Sequence, residues 1–261
     1  ILILTLSIST VANADVKGQA LSNVSGKISS IIGNLMPGDG VTEVSVEIDE
    51  DDTQFEILGV RDISSKENSN LFTQFSIHTQ EVNNDDRYIG NLGLGYRFLN
   101  ADQSMMFGVN SFYDRDILED HSRVSFGLEA KSSILDFTLN KYIKTTNMLV
   151  VNNTEEQALS GLDYNISSQV PYMPWTVFNY QGYKWENEKA VQDTKGKVYS
   201  LEMALSPSLQ FDLSRDVSSV SGVEDTDIVK LTFVYPPREN KTTLSDGFVS
   251  NLAFEKKNMK N

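Results

Sequence analysis

Few residues in this chain could carry catalysis. Among 261 residues there is no cysteine, and the two histidines are His78 and His121. That excludes disulfide scaffolds, thiolate zinc sites and thiol nucleophiles, and leaves too little imidazole for a multi-histidine metal site. Asp120-His121-Ser122 holds the residue types of a hydrolase triad. A triad, however, needs serine and histidine side chains within hydrogen-bond reach, and neighbours on a strand point to opposite faces. The pair cannot form that dyad, so no enzymatic activity is expected. His78 shares parity with Gln74 and Ser76 and reads as one more polar side chain of a strand. Asp49-Glu50-Asp51-Asp52 offers the oxygen ligands a hard cation prefers, yet a run of adjacent carboxylates reads as a solvated loop. Gly90-x-x-Gly93-x-Gly95 opens no helix and is therefore not a phosphate loop. No metal and no cofactor are expected.

Composition narrows the class further. The 36 acidic against 22 basic residues give a formal net charge of −14, the wrong sign for nucleic-acid binding, which relies on Lys and Arg to neutralise phosphates. After residue 14, no stretch approaches the roughly 18–20 apolar residues of a membrane-spanning helix. At the start, Ile1 to Val11 is an apolar run followed by Ala12-Asn13-Ala14. An apolar core ahead of a small-x-small site marks a secretory signal peptide over 1–14, with its first residues missing. Leu21, Val24, Ile28, Ile31, Ile32 and Leu35 then recur at helical spacing until Pro37-Gly38-Asp39-Gly40. This predicts one short amphipathic helix within a periplasmic segment 15–40.

From Gly40 onward the period becomes two. Twelve alternating segments fall near 42–48, 54–63, 71–83, 87–99, 104–117, 121–131, 134–147, 158–170, 175–187, 196–206, 209–218 and 226–236. Most are around ten residues or longer. Soluble strands average about 5–6 residues, whereas a tilted strand crossing a bilayer needs about 9–11. In 123–131, Val124, Phe126, Leu128 and Ala130 alternate with Arg123, Ser125, Gly127, Glu129 and Lys131. The polar faces are rich in Gly, Ser, Asn and mixed charge, as a barrel interior tolerates. Aromatics sit toward segment ends (Tyr88, Phe98, Tyr113, Tyr164, Trp175, Trp185, Tyr235) and read as interfacial girdles. Unpaired backbone in lipid costs several kcal/mol per group, so such a sheet must close. The expectation is an all-β, closed antiparallel transmembrane barrel of about twelve strands over 41–236. Acidic or long connections lie at one end and tight turns at the other, apart from an overlong connection from Ile63 to Leu71.

Three ordered motifs now carry a family resemblance: Asn91 to Phe98 (NLGLGYRF), Phe107 to Asp116 (FGVNSFYDRD) and Ser122 to Ala130 (SRVSFGLEA). The stretch resembles the translocator domain of the intimin/invasin family, the inverse autotransporters. Gly93, Gly95, Tyr96, Arg97, Gly108, Asn110, Phe112, Tyr113, Asp114, Asp116, Arg123, Gly127 and Glu129 match its motif positions, while Val109 stands where the family often has an aromatic. The resemblance implies a twelve-stranded barrel in the bacterial outer membrane with a periplasmic N-terminus. It also implies a chain that threads back through the pore to export a C-terminal adhesive passenger. By parity Gly93, Gly95, Gly108 and Gly127 face the lumen and would leave room for a threaded segment. Arg97, Arg123, Asp114, Glu129 and Asp163 face the same lumen, as a charge network or simply as a satisfied polar interior. Leu231, Phe233 and Tyr235 on the last strand look like the assembly signal read by the outer-membrane insertion machinery.

The expected partners are therefore outer-membrane lipid, that machinery and periplasmic chaperones. A host or surface ligand is expected only if a passenger exists, and no nucleic acid is expected. The 25 residues after Pro236 span roughly 80–90 Å when extended. They could line the pore but are too short for an immunoglobulin-like passenger of about 100 residues. The reading is a translocator with its passenger missing or truncated. The alternatives are a stand-alone pore or structural barrel with a lumenal tail 237–261 and, distantly, an outer-membrane hydrolase.

Overall fold

The structure, a computed structural model, describes residues 39–248 apart from 51, 83–84, 189–191 and 240. The signal peptide over 1–14, the helix expected within 15–40 and the last part of the tail lie outside these residues. Among the described residues no helix is long and apolar enough to cross a membrane; the spanning elements are strands.

Twelve strands form one closed antiparallel barrel: β1 (Gly40–Ile48), β2 (Thr53–Lys66), β3 (Ser69–Val82), β4 (Asp85–Leu99), β5 (Met105–Asp116), β6 (Ser122–Ser132), β7 (Leu135–Lys144), β10 (Ser160–Val170), β11 (Met173–Glu186), β12 (Thr194–Ser206), β13 (Leu209–Ser218) and β14 (Thr226–Tyr235). A separate hairpin, β8 (Leu149–Val151) with β9 (Thr154–Glu156), lies between β7 and β10. Closure comes from β1 pairing with β14, with Val44 opposite Phe233 and Glu47 opposite Lys230. No barrel strand is left with a free edge, which removes the backbone desolvation that lipid would impose.

The barrel is inside-out relative to a soluble sheet. Among the described residues fifteen polar or charged side chains are buried against five apolar ones. Leu92, Leu94, Phe126 and Leu128 are 60, 56, 56 and 54% exposed on the outer wall. A dry-cored sandwich would reverse that assignment; a lipid-facing wall requires it.

Two connections differ from expectation. The Ile63-to-Leu71 segment is not a loop. The β2–β3 ladder shifts register between Asp62 and Ser64, then continues through Ser65–Asn70 and Lys66–Ser69, so the true turn is Glu67-Asn68. Its polar composition reflects a position beyond the lipid, where alternation is no longer demanded. The Met148-to-Gln157 connection, in turn, contains the β8–β9 hairpin, whose turn residues Asn152 and Asn153 have φ of 47° and 65°. Both positive values suit a type I′ turn, which asparagine tolerates.

Candidate functional site: the lumen and its outer mouth

The motif glycines do not leave the lumen empty. Arg97, Gly108 and Glu129 share one rung across β4, β5 and β6. Over that glycine Arg97 donates to Glu129 through Nε (2.7 Å) and NH2 (3.1 Å). Lys131 joins at 3.3 Å, and the guanidinium lies 4.4 Å from the Phe72 ring centre. A Cβ on Gly108 would overlap the Glu129 carboxylate. The same device recurs elsewhere: the Phe112 ring lies over Gly93, Phe72 over Gly95, and Asn110 with Asn140 over Gly127. The space a side chain would take at each of these glycines is thus occupied by a neighbouring side chain of the wall. Glycine is needed because one ring, at Gly93 and Gly95, the Arg97–Glu129 pair, at Gly108, or two asparagines, at Gly127, lie across it.

A second network lies nearer the outer end. Asp114 accepts from Arg123 Nε at 2.6 Å and from Asn91. The Arg123 guanidinium sits 4.6 Å from the Tyr142 ring and 5.3 Å from Trp185. Tyr142 and Asn140 donate to Asp163 at 2.9 and 2.7 Å. Asp163 is therefore satisfied by a phenol and an amide, and the arginine goes to Asp114. The charged members Asp114, Arg123 and Asp163 are thus each paired, as groups withdrawn from water must be.

Trp185 and Trp175 correct the girdle expectation. Both face the lumen: Trp185 pairs in register with lumenal Gly161, and Trp175, 6% exposed, donates Nε1–H to the Gly247 carbonyl at 3.1 Å. Tyr88, Phe98 and Tyr113 do stand exposed on the outer wall, as does Tyr96, whereas Phe112 points inward over Gly93. On β14, Leu231 is exposed outward, with Phe233 and Tyr235 on the same face.

At the outer mouth, Arg87 is 2% exposed and carries three carboxylates. Asp116 lies at 3.5 Å, Glu119 at 3.9 Å and Glu156 at 3.1 Å. Asp116 also accepts the Leu118 and Glu119 amides, which closes the β5–β6 turn. Glu156 belongs to the β8–β9 hairpin, so this contact draws the hairpin inward over the barrel end. The His121 imidazole lies 3.8 Å from Glu156. Together they line a cavity of about 600 Å³ with His78, Gln80, Arg123 and Trp185. Ser122 Oγ pairs with Thr145 Oγ1 at 2.8 Å, not with His121. Arg87 and Glu156 were not singled out in the sequence; the Asn-Asn turn was the one available signal for the hairpin.

At the other end the chain leaves β14 and turns back. The Arg238 amide donates to the Pro207 carbonyl at 2.9 Å. Its guanidinium reaches lumenal Gln210 at 2.8 Å and Glu43 at 3.1 Å. A short 3-10 turn, Leu244–Asp246, follows, with Thr243 4% exposed.

A closed twelve-stranded wall, apolar outside and ion-paired inside, with short turns at the end that holds both barrel termini, defines an outer-membrane β-barrel of the bacterial envelope. More specifically, the inverse autotransporter beta-domain model matches residues 6–258, and the chain belongs to that family. It is 27% identical over 166 residues to an attaching and effacing protein homolog of Escherichia coli (strain K12), covering 61% of this chain and 52% of the relative. It is 29% identical over 166 residues to the inverse autotransporter adhesin YeeJ of the same organism, covering 60% of this chain and 7% of the relative. The chain thus spans about half of one relative and a small fraction of the other. A solved membrane-protein chain from work on in-meso crystallization shares the fold at a TM-score of 0.67 and 18% identity, covering 75% of this chain and 83% of that one.

Proposed function

We propose that this barrel is the translocator and membrane anchor of an inverse autotransporter, carrying a C-terminal segment through its lumen toward the cell surface. The observation that carries the reading is the return of the chain after β14 into contact with lumenal side chains: Arg238 with Glu43 and Gln210, and Gly247 with Trp175. The wall supports it physically. On β4 to β7 the charges are bound to one another, while β10 and β11 present neutral Asn165, Ser167, Asn179 and Gln181. Along that arc of the wall a passing chain meets few charges free to hold it. Assembly would use periplasmic chaperones and the outer-membrane insertion machinery, the latter reading Leu231, Phe233 and Tyr235. Any host or surface ligand would be met by a passenger and not by the barrel.

Two measurements test this. Planar-bilayer conductance is expected to be closed for the whole chain and open for long dwell times after deletion of 237–261. A cysteine at Lys260 is expected to react with an impermeant maleimide from outside the cell. A deletion that leaves conductance unchanged, with Lys260→Cys labelled only after the outer membrane is permeabilised, would overturn the reading.

A further inference from the structure

The outer wall carries one charged feature that neither closure nor export explains. Four wall lysines lie on the outward face near the loop-bearing ends of neighbouring strands: Lys141 on β7, Lys184 on β11, and Lys195 and Lys197 on β12. Their register partners confirm the face. Lys141 pairs with outward Phe126 and Leu162, and Leu162 with Lys184. Lys184 and Lys195 are directly opposite one another, an arrangement that destabilises a sheet unless something neutralises it. Lys184 is 56% exposed and has Asp193 at 2.9 Å; Lys141 is 47% exposed and has Glu186 at 3.4 Å. Lys195 and Lys197 are both exposed; Asp193, which pairs with Lys184, also feels the Lys195 charge, but among the described residues neither Lys195 nor Lys197 forms an ion pair within 4 Å. The other exposed wall cations near that end, Arg115 and Arg215, stand apart and are matched by carboxylates, whereas the four lysines are neighbours that share two carboxylates, Asp193 and Glu186.

Depth in the membrane sharpens the point. Tyr164, Tyr180 and Tyr199 stack along the same outward face, with ring centres 6.0 and 5.4 Å apart. Tyr180 lies four residues below Lys184 on β11, and Tyr199 two below Lys197 on β12. Such tyrosines mark the edge of the hydrocarbon. At about 3.3 Å per residue along a tilted strand, the lysines therefore stand among the headgroups of the outer leaflet. In a chain of net charge −14, this local surplus of positive charge is not a consequence of composition.

We propose that this face binds the phosphate groups of a phosphorylated lipid in the outer leaflet, with Lys184, Lys195 and Lys197 as the phosphate ligands and the tyrosine row packing on its acyl chains. The inference rests on outer-membrane placement, not on export, so it survives if the tail does not thread. The test uses the whole chain purified in a neutral detergent and titrated with diphosphorylated lipid A, with fully dephosphorylated lipid A, and with inorganic phosphate as competitor. Binding is read by native mass spectrometry. Diphosphorylated lipid A is expected to bind preferentially, and the triple variant K184Q/K195Q/K197Q to weaken binding at least tenfold. K66Q, at the opposite end of the barrel, should leave it unchanged. Folding of each variant is checked by heat-modifiable gel mobility. Equal binding of the two lipids, or unchanged binding by a folded triple variant, would overturn the proposal. Displacement by millimolar inorganic phosphate would also overturn it, because the site would then be one for a soluble anion.

Discussion

The hairpin over the outer mouth gives the sharpest quantitative expectation. Its inward tether is the Glu156 carboxylate, which accepts from Arg87 NH2 at 3.1 and 3.3 Å while Arg87 is 2% exposed. Glu156→Gln keeps the shape and removes the charge. A hydrogen bond to a charged group contributes about 1.5–3 kcal/mol, so the population with the hairpin lifted should rise roughly 10- to 150-fold. Asp116 and Glu119 remain beside Arg87, which keeps the guanidinium in place and favours the lower part of that range. The chain has no native cysteine, so a single Ile89→Cys substitution reports on entry to the mouth cavity that the half-buried Ile89 lines. With opening fast relative to labelling, the rate of modification by an external impermeant maleimide should rise in proportion to the lifted population. An Arg87→Met, Glu156→Gln double-mutant cycle isolates the pair, since direct partners couple by about 0.5–3 kcal/mol. A change of less than twofold in labelling rate for Glu156→Gln would refute the tether, because the hairpin would then be held by something other than this bond.

Four further outcomes follow from the same geometry. Glu129→Leu leaves Arg97, a third exposed, and Lys131 without their shared carboxylate and should lower barrel stability by about 1.5–3 kcal/mol. The double change with Arg97→Met should recover most of that loss, as read by urea titration of heat-modifiable gel mobility. Gly108→Ala places a methyl where the Glu129 carboxylate now lies; its stability loss should shrink sharply in a Glu129→Gly background. Leu128→Arg, outward and 54% exposed, should cost up to about 2–4 kcal/mol in bilayers. Asn179→Arg, at a half-buried lumenal position, should cost clearly less, and equal penalties would contradict the assigned faces. Trp175→Phe removes the donor to Gly247, a bond contributing about 0.5–1.5 kcal/mol, and should raise protease cleavage beyond Gly247 severalfold without lowering barrel stability by more than about 2 kcal/mol.

The architecture was legible from the chain alone because a lipid-facing strand leaves a strong local record. Apolar residues recur at every second position over the length of a tilted crossing, as Val124, Phe126 and Leu128 do on β6, and parity then assigns each intervening residue to the lumen. All twelve barrel strands were located this way, and the motif around Gly93, Gly108 and Gly127 pointed to the family. What the lumen does with those residues was not legible. Parity cannot say that Glu129 crosses Gly108 to meet Arg97, that Asp163 takes Tyr142 while Arg123 takes Asp114, or that both tryptophans turn inward. Those choices depend on which rungs the closed barrel aligns, and rung alignment is a property of register between strands, not of any one strand. The outer hairpin is the extreme case. Arg87 and Glu156 are 69 positions apart, and the loop between β7 and β10 carries no lipid-imposed period, so only the folded barrel brings that carboxylate over the buried guanidinium. Local periodicity determines the wall; pairing across strands and loops decides what fills it and what covers it.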